Sequence, residues 1–119
     1  LGGLRESRVQ KKNIKVVVVP GSFEIPFTAN DFAKSGNYNV IIALGAIIKG
    51  ETKHDEYIAN AIAYGITKVS IATGVPVIFG VITPNNFEQA VARSGNNKQN
   101  KGYEAALASI EMAQVTCAL

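Results

Sequence analysis

The chain has 119 residues, 47% apolar and 18% charged, a composition that excludes a disordered protein and fits one domain spanning residues 1–119. No stretch approaches the ~20 apolar residues of a membrane-spanning helix, and a single cysteine, Cys117, excludes an intrachain disulfide and a cysteine-based zinc cluster. The net charge of +3 is uneven: Arg5, Arg8, Lys11, Lys12 and Lys15 face only Glu6 in the first 15 residues, and the rest holds seven basic and eight acidic side chains. A basic arm on a near-neutral body reads as a solvated segment, so neither a nucleic-acid nor a membrane partner is expected.

Ile14 to Val19, IKVVVV, has the β-branched bias and the length of a strand buried on both faces. Pro20-Gly21-Ser22 ends it, and a helix is predicted from about Glu24 to Lys34, with Pro26 confined to its first turn. Tyr38 to Leu44 reads as a second strand, and residues 55 to 73 as the longest helix. Ile58, Ala61, Ile62, Gly65, Ile66, Val69 and Ala72 share one face of that helix, and Gly74 stops it. Val77 to Thr83 is the third strand. A short helix follows from Phe87 to Arg93, capped by Asn85 or Asn86, and a last one runs from about Gly102 to Val115. Ala106, Leu107, Ile110 and Ala113 mark the inner face of that last helix. Strands alternating with helices predict a parallel α/β layer. Three strands are few for such a sheet, so a further strand is expected from outside the stretch or from a partner subunit.

In open parallel sheets the ligand crevice lies beyond the carboxyl ends of the strands. The first loop there, VPGSFE, offers the Ser22 hydroxyl and the Glu24 carboxylate, read either as a helix cap with a favourable first-turn acid or as a grip on a polar ligand. The second, GAIIKGETKHDEY, places Ile47 and Ile48 where a ring can pack and Gly50-Glu51-Thr52 at the start of the long helix, where free amides suit a phosphate. His54, the one histidine, sits in the first helical turn, as a surface residue or as a proton-transfer group. In the third, Arg93 either complements a helix dipole or completes a phosphate site, and Lys101 and Glu104 form an i,i+3 surface pair or ligand contacts. Phe79, inside an apolar strand, reads as core.

In their order and separations, VPGSFEIP, GAIIKGETKHDEY, PVIFGVIT, EQAVARSG and NKGYEAALASIEMA resemble the lumazine synthase family, over nearly all of Ile14 to Val115. The resemblance implies a three-layer α/β/α fold with a parallel, flavodoxin-like sheet of four strands. It also implies a transferase of riboflavin biosynthesis that condenses 5-amino-6-(D-ribitylamino)uracil with 3,4-dihydroxy-2-butanone 4-phosphate. The products are 6,7-dimethyl-8-ribityllumazine, phosphate and water, formed without metal or organic cofactor. His54 matches the family's proton-transfer histidine. Glu51, Thr52 and Arg93 match its phosphate-binding positions. Ser22, Phe23, Glu24, Ala46, Ile47 and Ile48 match the segments that hold the ribityl-aminouracil. Phe79 matches a position supplied by the neighbouring subunit, and Lys101 and Glu104 match polar positions near the ligand. Homopentamers with sites between subunits are implied, in some members as decamers or 60-subunit shells. The compartment implied is the cytoplasm, or a plastid where a transit peptide has been removed.

Three departures stand out. The family's first strand, with an aromatic residue that stacks on the pyrimidine, has no counterpart here, so the domain reads as N-terminally incomplete. A non-catalytic assembly or ligand-binding protein on the same fold is the competing expectation. Asp55 stands where an aromatic residue usually follows the histidine, and Gln99 where glycine is common.

Overall fold

The computed structural model describes residues 1–48, 53–94 and 100–118. Glu51, Thr52 and Gln99 lie outside the described residues. In chain order the elements are helix α1 (Gly2–Glu6), 3-10 turns at Lys11–Asn13 and Ser22–Glu24, helix α2 (Ile25–Lys34) and strand β1 (Ile41–Ala46). Helix α3 (His54–Thr73), strand β2 (Val77–Ile82), helix α4 (Phe87–Ser94) and helix α5 (Lys101–Ala118) follow.

Strands β1 and β2 pair in parallel with Ile41 opposite Val77 and Ala46 opposite Ile82, so their carboxyl ends finish level. Strand alternation then divides the residues between two faces. On one face Ala43 and Val81 share a buried cluster with Ile25, Ile47, Ile62 and Ile66, and Ile41 shares a second with Ala29, Ala33 and Val69. Both clusters lie between the sheet and the α2–α3 pair. On the other face α5 packs over both strands and carries α1 on its back. Helices thus cover a parallel sheet on both sides, the α/β/α layering of flavodoxin-like folds.

Helix α3 follows its hydrophobic spacing in part. Ile62, Ile66 and Val69 are buried, and Gly74, with φ of 75°, closes the helix by donating its N–H to Ser70 O. Ala61 and Ala72, predicted on the same face, are exposed instead, because the contact with α2 and the sheet is narrower than the full stripe. Gly65 makes that contact possible: a Cβ there would lie 2.8 Å from Pro26 Cβ. Ser70 Oγ accepts the Val77 N–H at 2.9 Å and so ties the end of α3 to the start of β2. In α5 the buried positions are Ala105, Ala106 and Ser109. Leu107 is exposed, which turns the predicted inner face by about one residue.

The strand predicted at Ile14 to Val19 is not formed. Ile14 keeps extended dihedrals, but the run pairs with neither strand, and Val18 is 91% exposed. β-branched residues favour extended backbone without supplying a ladder partner, and no described residue offers one. Only Val19, at the end of the run, packs against the core.

Candidate functional site

The sheet's carboxyl edge gathers most of the predicted site residues, in two groups. The first surrounds the end of β1. Ile47 donates its N–H to Ile82 O at 2.9 Å and is itself buried, so the chain leaving β1 is fastened to β2 and to the core at once. Ala46 and Ile48, on either side, are exposed. The 3-10 turn Ser22–Glu24 docks against this strand: a Cβ at Gly45 would lie 2.8 Å from Ser22 Oγ, so a larger residue there would turn the hydroxyl aside. Ser22 makes no side-chain cap; the cap residue of α2 is Glu24, without a side-chain cap bond. Phe23 and Glu24 face outward. The result is a strip of backbone and apolar side chain with the Ser22 hydroxyl beside it.

His54 is the first residue of α3 and is exposed, with Asp55 and Glu56 in the same turn. Residues 49–52, between it and Ile48, lie outside the described residues, and with them Glu51 and Thr52.

The second group lies beyond β2. Asn86 Oδ1 accepts the Gln89 N–H at 2.9 Å while Gln89 Oε1 accepts the Asn85 N–H at 2.7 Å, a reciprocal cap that sets the start of α4. Arg93, one turn further on, lines a cavity of about 420 Å³ with Thr83, Pro84, Gln89 and Ala92. Its Nη2 lies 3.2 Å from Glu104 Oε2, and Lys101 Nζ lies 3.6 Å from that same oxygen. The i,i+3 pair expected at the start of α5 is therefore present, enlarged by an arginine from another helix. Asn100 Oδ1 caps α5 through the Tyr103 N–H at 3.0 Å.

Phe79 belongs to neither group. It pairs with Ala43 in mid-strand, three residues and about 10 Å short of the carboxyl end by strand rise. It is 39% exposed, so the reading of Phe79 as core fails among the described residues, where β2 has a strand neighbour on one side only. Gln89 and Thr83, which line the cavity beside Arg93, are not among the residues singled out from the sequence. The Asn86-x-x-Gln89 spacing is a capping signal that could have found the first; Thr83 carries no local signal.

A model of the 6,7-dimethyl-8-ribityllumazine synthase family matches residues 1–116 of the 119. The chain belongs to the lumazine synthase family. Lumazine synthases are transferases of riboflavin biosynthesis that act on small molecules and assemble as oligomers. The match extends the resemblance read from the motifs, because it includes α1 and the basic segment after it as well as the five motif blocks.

Proposed function

We propose that the chain catalyses the condensation of 5-amino-6-(D-ribitylamino)uracil with 3,4-dihydroxy-2-butanone 4-phosphate to 6,7-dimethyl-8-ribityllumazine, with loss of phosphate and water. The family match over residues 1–116 is the observation that carries this reading. In it, the exocyclic amine forms an imine with the ketone, phosphate is eliminated and the ring closes. Each step moves a proton, and none is an oxidation or a reduction. His54, at the start of α3, is assigned the proton transfers. Ser22, Phe23 and Glu24 with Ala46, Ile47 and Ile48 would hold the ribityl-aminouracil, the ring lying on the strip left open by the buried Ile47. Arg93, together with Glu51 and Thr52, would hold the phosphate, with Lys101 and Glu104 beside it.

The proposal extends to a homopentamer with each site between adjacent subunits. Phe79 supports it, since an exposed ring in mid-strand suits a neighbour's pocket better than its own sheet edge. Exposed Phe27, Tyr64 and Ile71 on α2 and α3 are further apolar surface for such contacts.

The test is product formation from both substrates, followed by lumazine absorbance and fluorescence against the uncatalysed rate. For His54→Ala the expected loss in kcat is about 10²-fold, the low end for general acid–base catalysis, because orientation by the rest of the site persists. An undiminished rate would remove His54 from the mechanism. A second reading, binding without turnover, is favoured by the unpaired run 14–19. Any rate above background disposes of it.

A further inference from the structure

We infer that Glu104 is an internal competitor for the phosphate, a carboxylate gate on Arg93 and Lys101 that keeps anion binding weak and lets product phosphate leave. The inference rests on the reading of Arg93 as a phosphate-binding residue and adds how that binding is limited. One oxygen, Glu104 Oε2, engages both cations, at 3.2 Å from Arg93 Nη2 and 3.6 Å from Lys101 Nζ. A phosphate bound by Arg93, whose side chain helps to line the 420 Å³ cavity, competes with Glu104 for Nη2, since a bidentate oxyanion draws on that nitrogen as well. With Glu104 ionised the three side chains sum to a single positive charge. Neutralising it doubles that charge and removes a like-charge neighbour from the anion.

Displacement is easy on two counts. The Arg93 and Glu104 side chains are 43% and 47% exposed, so water screens the pair and the ligand has little to break. Glu104 also sits in the first turn of α5, where the helix dipole favours a carboxylate whether or not Arg93 is near. Lys101 and Arg93 come from different helices, so a carboxylate bridging them also holds α4 to α5.

The test is calorimetric titration of inorganic phosphate into the full chain and its Glu104→Gln and Arg93→Gln variants at low ionic strength. Glu104→Gln keeps the side chain's size and should bind phosphate about two- to five-fold more tightly, the range of an exposed ion pair. Inhibition of turnover by added phosphate should deepen by the same factor, and the gain should shrink in ~0.5 M salt. Arg93→Gln should lose phosphate binding. Retained affinity in Arg93→Gln overturns the phosphate reading of Arg93, and the gate with it. Loss in Arg93→Gln together with unchanged or weaker binding in Glu104→Gln overturns the gate alone and makes Glu104 a residue that orients the arginine. Glu104→Ala serves as the second variant and must shift affinity in the same direction as Glu104→Gln.

Discussion

Beyond β1, Ile47 is buried in the same cluster as Ile25 and Ile62, whereas beyond β2 Arg93 is solvent-exposed and held by an ion pair. The two ends finish level in one sheet, so their surroundings make the difference. The β1 end is pressed between α2, α3 and the Ser22–Glu24 turn, and its shape is set by packing that tolerates little change. The β2 end is set by caps at Asn86 and Asn100 and by charges that water weakens. Under the proposed reaction the contrast has a use. A ring must be oriented to within fractions of an ångström for closure, while a phosphate must bind and then leave.

Ile62→Ala should produce the largest effect. Ile62 is fully buried and touches both β1 and β2 through the shared cluster. Its truncation is expected to lower stability by about 2–5 kcal/mol in urea denaturation, and to loosen the Ile47 side more than the Arg93 side. A loss below about 1 kcal/mol would mean that packing does not dominate at the β1 end. Asn86→Ala tests the other side and should be smaller, about 1 kcal/mol, because one capping bond is lost where α4 begins. Faster amide exchange should be confined to the first turn of α4, and Asn86→Ser should restore protection. If the two substitutions cost the same, the contrast between packed and capped ends is wrong.

Where a feature depends on near neighbours in the chain, the amino-acid order already shows it. The glycine stop of α3, the Asn86 cap, Pro26 in the first turn of α2 and the Lys101–Glu104 pair are all of this kind, and each stands in the structure, as does the middle of the α3 stripe at Ile62, Ile66 and Val69. Features that need a distant partner were not legible. Residues 14–19 have the side chains of a buried strand, but a ladder needs a second backbone. Arg93 meets Glu104 eleven residues away across two helices, and nothing in either segment announces it. Phe79 reads as core from its apolar neighbours and is exposed because of where β2 lies in the sheet. The family motifs fill a different gap: the roles proposed for Ser22, His54 and Arg93 come from them, because the residues alone leave a choice between structure and chemistry.

The smallest expected effect belongs to the tie between α1 and α5, on the same side of the sheet as the ionic group. Tyr103 Oη donates to Glu6 Oε2 at 2.8 Å. Chiefly through that hydrogen bond, with some desolvation and the carboxylate's charge, the phenol is raised above its ordinary value of 10.0. The folded state therefore favours the protonated ring more than the unfolded chain does. Its contribution is whole below about pH 10 and is lost as pH rises through the elevated folded value. The stability difference between the wild-type chain and Tyr103→Phe, measured by urea denaturation from pH 8 to pH 11.5, should be positive and flat at first. It should decline above pH 10, since lysines and the other tyrosines titrate in both proteins and cancel. A difference that stays flat through pH 11.5 would show that Glu6 does not hold Tyr103 in solution. The α1 helix would then be held by its packing on α5, where Gly3 is buried, and packing would govern this side of the sheet as it governs the β1 end.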